Sequence, residues 1–149
     1  MTGPAATACR FAAVTTACVV ALDQITKQIA ASSIARGDSV NVFFELDISN
    51  VRNKGVAFGA LKGAGLLVLA LTLLALGALL LYFALNPTKP MLWLPVGMIA
   101  GGALGNLADR AREGAVIDFI DPMFWPAFNI ADASIVIGIL GLLYVIEGK

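Results

Sequence analysis

Between Gly63 and Thr88 the chain contains no charged residue, and the run has a continuous Leu/Ala/Val centre (LLVLALTLLALGALLLYFAL). A bilayer core about 30 Å thick is crossed by about 20 apolar residues of helix, so this stretch reads as a transmembrane span. Three more runs have the same character. Pro90–Ala108 is uncharged between Lys89 and Asp109, Pro122–Ile146 carries only Asp132, and Phe11 to about Ala35 is interrupted by Asp23 and Lys27. The expectation is one integral membrane domain, residues 1–149, with spans at about 11–33, 63–86, 90–109 and 126–146. Composition agrees: 59% of residues are hydrophobic and 13% charged, against about 25% charged in soluble domains. A cleaved signal peptide, with Arg10 before the apolar Phe11–Leu22, competes for the first segment. Asp23 and Lys27 follow at once and the apolar pattern resumes at Ile29, which favours a retained span.

The same numbers exclude several functions. Ten basic residues balance ten acidic ones, so no positive excess exists to neutralise phosphates, and nucleic acid is not an expected partner. High hydrophobicity excludes disorder. The chain has no histidine, which removes Ser-His-Asp and Cys-His catalysis and most transition-metal sites. The two cysteines, Cys9 and Cys18, both lie in the first apolar segment and make no zinc site or disulfide framework. Chemistry must therefore use carboxylates, Lys, Arg, Ser/Thr or amides, with no metal and no cofactor.

The only long loop, Arg36 to about Lys62, alternates Val40, Val42, Phe44, Leu46 and Ile48 with Asn41, Phe43, Glu45, Asp47 and Ser49, a strand pattern with one apolar face. Asn50–Gly55 reads as a turn and Val56–Gly59 as a returning strand, giving a small β platform over about 38–60. Asn86–Pro90 is a tight turn that makes spans two and three antiparallel. Asp109 to about Trp125 forms a charged third loop. Charge counting argues for that side being cytoplasmic, because Arg36, Arg52, Lys54, Lys62, Arg110 and Arg112 lie there and only Arg10, Lys89 and Lys149 lie opposite.

Ionisable residues at membrane depth are expensive and are functional candidates by default. Asp23 and Lys27, four apart, share a helix face and can pair; a structural ion pair and a functional one are equally open. Asp132 sits about one turn into an otherwise uncharged span, so a cap or interhelical hydrogen bond is the bland alternative to a functional role. Asn129 precedes Asp132 by three, as Asn106 precedes Asp109, which puts each amide near its acid. The glycines of Gly101-Gly102-Ala103-Leu104-Gly105 allow a neighbouring helix to approach. Asp118 is surrounded by Val116, Ile117, Phe119 and Ile120, where desolvation raises a carboxyl pKa. A short connection containing Pro122, Trp125 and Pro126 can bring Asp118 back to Asp132. Two close carboxyls share a proton, an arrangement suited to amide hydrolysis by activated water. Met123, Phe124, Trp125 and Phe128 read equally as an apolar lid or an interfacial aromatic belt.

Five segments in order carry a family resemblance: Asp23-Gln24-Ile25-Thr26-Lys27, Asn53-Lys54-Gly55-Val56-Ala57-Phe58, Gly105-Asn106-Leu107-Ala108-Asp109-Arg110, Val116-Ile117-Asp118-Phe119 and Phe128-Asn129-Ile130-Ala131-Asp132. Together they resemble the lipoprotein signal peptidases (signal peptidase II), bacterial membrane aspartic peptidases. The resemblance implies an all-α membrane protein with four spans and an extracytoplasmic platform. It implies removal of signal peptides from diacylglyceryl-modified prolipoproteins, N-terminal to the lipidated cysteine. Asp118 and Asp132 match the catalytic dyad, and Asn53 and Arg110 match positions that hold the substrate backbone. Asn106 and Asn129 match residues that order the site and contact substrate, while Asp23, Lys27, Gly55 and Asp109 match site-ordering residues. It also implies both termini cytoplasmic and the site at the outer face of the inner membrane, against the charge count; membrane lipid is an expected partner, and nothing in the sequence demands more than a monomer. A further expectation makes the platform a clamp, with Asn53 and Phe58 near its tip. The competing functions are a small ion- or proton-coupled transporter relaying through Asp23, Lys27 and Asp132, and a non-catalytic assembly protein.

Overall fold

The computed structural model describes residues 3–55 and 64–148. The elements follow in the order α1 (Pro4–Ser33), β1 (Ser39–Phe43), β2 (Leu46–Asn53), α2 (Ala64–Leu85), α3 (Trp93–Glu113), β3 (Val116–Pro122) and α4 (Ile130–Glu147). Three of these helices, α1, α2 and α4, are long and apolar enough to cross a membrane. The fourth, α3, ends in the charged residues Asp109, Arg110, Arg112 and Glu113. Large apolar side chains such as Val14, Ile29, Leu66, Leu74 and Leu140 point outward, as expected where the surroundings are lipid.

Helix boundaries differ from the sequence expectation in three places. α1 begins at Pro4 rather than near 11, because proline at the first helical position forfeits an N–H that has no intrahelical partner anyway. α3 runs from Trp93 to Glu113 instead of 90–109, so the start of the expected charged loop is helical. Arg110 and Arg112 suit the negative end of the helix dipole, and Gly114, at φ 68°, supplies the left-handed residue that ends it. α4 starts at Ile130 and not at 126, since Asn129 caps it.

α3 is the central helix and packs against both α1 and α4. The cause is its row of glycines. A Cβ at Gly97 would lie 2.6 Å from Thr15 Cβ, and one at Gly101 would lie 2.6 Å from Val19 Cβ and 2.9 Å from the Thr16 carbonyl oxygen. Gly102 faces Ala131 and Ile135 on the other side. Small residues at this spacing let backbones meet, and Thr16 Oγ1 donates to the Gly97 carbonyl at 3.2 Å across the seam. Near the Asn86–Met91 turn, Ala12, Leu79, Phe83, Leu92 and Val96 form the apolar core.

The platform is built differently from the expected continuous strand. β1 and β2 form a hairpin that turns at Phe44–Glu45, with Val40 opposite Ile48 and Phe43 opposite Leu46. The turn is held by side chains: Asn41 Nδ2 donates to Asp47 Oδ1 (2.8 Å) and to the Phe44 carbonyl (2.7 Å). Asn50–Asn53, expected in a turn, lie in β2. A register shift between Ile48 and Val51 turns Asn50 toward α1, where its Nδ2 donates to the Ile34 carbonyl at 2.7 Å. That bond satisfies a helix-end carbonyl otherwise left without a partner. The third strand comes from a segment read as loop: β3 pairs antiparallel with β2, placing Asp118 opposite Val51 and Val116 opposite Asn53. The expected strand at Val56–Gly59, and Phe58 with it, lies outside the described residues.

The glycine seam makes a prediction. Gly101→Val should lower thermal stability in detergent, by about 1–3 kcal/mol as for other overpacked interiors. Gly77→Ala, with nothing within 4 Å of its added carbon, should leave stability unchanged or raised. Equal melting temperatures for wild type and Gly101→Val would contradict the packing described.

Candidate active site

At one end of the bundle the polar residues of α1, α3, β3 and α4 converge on a buried ammonium. Lys27 Nζ lies 2.8 Å from Asp23 Oδ2, 2.8 Å from Asp109 Oδ2 and 2.9 Å from Asn106 Oδ1. All three ammonium protons therefore have an acceptor, although Lys27, Asp23 and Asp109 are at most 1% exposed. The close pass at Gly105 makes this possible, since a Cβ there would sit 2.5 Å from Asp23 Oδ2.

Each acid in this cluster also grips a distant backbone. Asp23 Oδ1 accepts from the N–H of Ala131 at 2.9 Å, and Asp109 Oδ2 accepts from the N–H of Ile117 at 3.2 Å. Those two residues immediately precede Asp132 and Asp118. The pairing of Asp23 with Lys27 anticipated from their spacing is present, extended by Asp109 into a three-residue cluster.

Asp118 and Asp132 are joined through amides. Asn129 Nδ2 donates to Asp118 Oδ1 at 2.7 Å, while Asn129 Oδ1 accepts from the Asp132 N–H at 2.9 Å. In return Asp132 Oδ2 accepts from the Asn129 N–H at 3.2 Å, completing a capping box. Asp132 thus lies in the first turn of α4, shallower than the sequence suggested, and it does cap the helix. Its other oxygen accepts from Asn106 Nδ2 at 2.8 Å. Asp118 is buried and Asp132 half-buried, so one carboxyl is shielded and the other is partly exposed. Burial pushes the Asp118 carboxyl up from 3.8 to about 6. The Asn53 hydrogen bond opposes that rise, the neighbouring Asp132 charge adds to it, and Asn129 and Lys27 draw it back.

Asn53 donates through Nδ2 to Asp118 Oδ2 at 3.0 Å, and its Oδ1 accepts from the Gly55 N–H at 2.8 Å. Gly55, at φ 74°, permits that turn and so aims the amide. Arg110 is half-buried, one turn beyond Asn106 on α3, and its guanidinium has no ion-pair partner among the described residues. All ten residues singled out from the sequence therefore belong to this end of the molecule. Sequence reasoning missed two others. Gln24 Nε2 lies within 3.2 Å of Asp23 Oδ2, the Gly105 carbonyl and Asp109 Oδ1, and Arg112 donates to Gln24 Oε1. Gln24 stands inside a quoted motif, but only the fold reveals which way it turns. Among the described residues no group of acids or cysteines has the arrangement to hold a metal ion.

Beside the dyad, Trp125, Phe128, Ala133, Val136 and Ile137 line a shallow apolar hollow of about 330 Å³, with Asp132 at its edge. Phe44, Met123, Phe124 and Trp125 are exposed, Phe44 at 83% and Phe124 at 80%. The Met123 N–H donates to the Glu45 carbonyl at 3.0 Å, tying this aromatic loop to the hairpin turn.

Comparison with known proteins gives a consistent answer. The family described as signal peptidase (SPase) II matches residues 15–147. A lipoprotein signal peptidase of Pelotomaculum thermopropionicum is 42% identical over 127 residues, covering 82% of each chain. One of Caldanaerobacter subterraneus subsp. tengcongensis is 43% identical over 145 residues, covering 93% of this chain and 98% of its own. A solved structure described as a bacterial membrane enzyme superposes with a TM-score of 0.79 at 35% identity, covering 93% of both chains. A match over nearly the whole chain in sequence and in fold, with two linked carboxyls at one end of the bundle, means that this chain belongs to the signal peptidase II family of multi-pass bacterial membrane enzymes.

Proposed function

We propose that this protein is an aspartic endopeptidase that removes signal peptides from diacylglyceryl-modified bacterial prolipoproteins, with Asp118 and Asp132 as its catalytic dyad. The observation that carries the assignment is the link of both carboxyls to the single amide of Asn129. In the proposed reaction the pair holds one proton. The ionised carboxyl takes a proton from water as the oxygen attacks the scissile carbonyl, and the protonated carboxyl donates to the carbonyl oxygen. Collapse of the tetrahedral intermediate breaks the C–N bond, the leaving nitrogen takes the proton drawn from water, and the carbonyl proton returns to the dyad.

A signal peptide is itself an apolar helix, and its diacylglyceryl chains belong in lipid. The apolar hollow beside Asp132 fits such a substrate. Arg110, free of an ion-pair partner among the described residues, is suited to the peptide carbonyls, and Asn53 shares that task with its hold on Asp118. In this reading α3 is the fourth span, its charged end lies at the outer face of the inner membrane, both termini are cytoplasmic, and the enzyme is a monomer in lipid. The basic residues that oppose this orientation by simple counting are partly engaged: Arg52 pairs with Glu113 at 2.8 Å and Arg112 with Asp109. Relay transport through Asp23, Lys27 and Asp132 finds no support, since each has fixed partners.

With purified protein in detergent and a diacylglyceryl-modified prolipoprotein, wild type should cleave in the presence of a chelator. Asp118→Asn and Asp132→Asn should each lose nearly all turnover while remaining folded, because the two carboxyls work as a unit. Cleavage by either variant at wild-type rate refutes the dyad. Arg110→Lys should also slow cleavage, because an ammonium lacks the planar fork of a guanidinium.

Protonation gives a separate test. Because the folded pKa of Asp118 lies above its ordinary value, its burial costs stability as pH rises from 3.8 to about 6, and the full cost applies above that window. Asp132→Asn removes a neighbouring negative charge, so Asp118 should titrate lower than in wild type. Carboxyl titration by isotope-edited infrared spectroscopy reads this directly, and an unchanged or higher midpoint would contradict the coupling.

A further inference from the structure

We infer that Arg52 is a positioning residue, latching β2 to the end of α3 through Glu113 and so fixing the register that lays the Asn53 amide against Asp118; its effect on cleavage rests on the dyad assignment above. The need for a latch comes from the sheet. The ladder between β2 and β3 is interrupted between Ile48 and Val51, then resumes with Val51 opposite Asp118, Arg52 opposite Ile117 and Asn53 opposite Val116. Bonding to β1 and the residues before it ends at Asn50. Among the described residues, 51–53 therefore have a neighbouring strand on one side only. Beyond a bulge the hairpin no longer dictates register, and a slip of one residue turns every side chain to the other face. Such a slip would take Asn53 Nδ2 away from Asp118 Oδ2, which it meets at 3.0 Å.

Side chains hold this segment instead. Arg52 Nη1 donates to Asn50 Oδ1 at 2.6 Å, and Asn50 Nδ2 donates in turn to the Ile34 carbonyl just past α1. Arg52 Nε lies 2.8 Å from Oε2 of Glu113, the last residue of α3. Only Gly114 and Ala115 separate Glu113 from the start of β3. The latch thus sets β2 against the helix end from which β3 departs. Successive residues of a strand face opposite sides, so Arg52 grips β2 from the face opposite Asn53, and its partners are not members of the dyad. The Arg52 side chain is 12% exposed and that of Glu113 42%. An ion pair this open to solvent adds little to overall stability, which makes its geometric role separable from folding.

The Asp118 carboxyl reports the Asn53 contact, because that hydrogen bond draws its pKa down. Its titration is followed by isotope-edited infrared spectroscopy in detergent, the Asp118 band being the one absent from Asp118→Asn. Wild type is compared with Arg52→Met, Glu113→Ala, Asn53→Ala and the double variant Asn53→Ala with Glu113→Ala. Arg52→Met and Glu113→Ala should both raise the midpoint, by about half a pH unit or more. Charge alone predicts opposite signs, since removing a cation raises a carboxyl pKa and removing an anion lowers it. Asn53→Ala should raise the midpoint too, and adding Glu113→Ala to it should raise it no further. Opposite shifts in the two latch variants, an unmoved midpoint in any single variant, or a further rise in the double variant would overturn the latch. Cleavage of a diacylglyceryl-modified prolipoprotein by the two latch variants should fall about ten- to a hundredfold per folded molecule, and wild-type rates in both would overturn the role in the reaction. Cleavage by Asp118→Asn would refute the dyad and leave the infrared result standing.

Discussion

The buried ammonium of Lys27 is the point on which the rest of the site depends. It is nearly inaccessible, and its three donors are matched by Asp23, Asp109 and Asn106. Charges out of water are expensive, and removing one partner of a buried pair costs about 3–5 kcal/mol because the other is left uncompensated. The cluster therefore tolerates little change in geometry. It also ties α1, α3, β3 and α4 at one end of the bundle, since the same acids bond the backbone at Ile117 and Ala131. What looks from the sequence like a helix-face ion pair is the junction of four elements.

That junction requires close backbones. Lys27 reaches Asp109 and Asn106 only because α1 and α3 meet along Gly97, Gly101 and Gly105, positions where any side chain would collide with Thr15, Val19 or Asp23. In lipid, apolar side chains gain little by leaving their surroundings, so helix association rests on close packing and on polar contacts. Here one seam supplies both. The other face of α3, through Gly102, admits α4 and with it Asn129 and Asp132. The glycine row and the polar cluster are two parts of one arrangement.

The platform contributes in a less obvious way. β3 is buried along Val116–Phe119 and carries Asp118. Pairing with β2 holds that strand on one side, and the Asp109 bond to Ile117 holds its start. Asn53 at the end of β2 reaches Asp118 directly. The sheet is therefore part of the wall of the site, with its aromatic rim at Phe44 and Phe124 turned outward.

Much of this was legible in the amino-acid order. Uncharged runs locate helices because lipid excludes charge, so the helices follow from composition alone, with their ends displaced where Pro4, Gly114 and Asn129 decide. Isolated acids in apolar context mark Asp23, Asp118 and Asp132, since such residues are costly without a task, and the five ordered segments point to a family that comparison then bears out. Three things were not legible. β3 carries no strand signal of its own, because a strand's edge pairing depends on a partner more than 60 residues away. The hairpin turn at Phe44–Glu45 lay hidden in an unbroken alternation, because cross-strand bonds from Asn41 hold it, with no glycine at the turn. The roles of Gln24 and Arg112 depend on which way a side chain turns after α1 and α3 have met. Sequence alone determined which residues could not be left in lipid without a partner. Only the tertiary structure decided which partners they took, because those partners become neighbours when backbones pack, and local periodicity does not encode that.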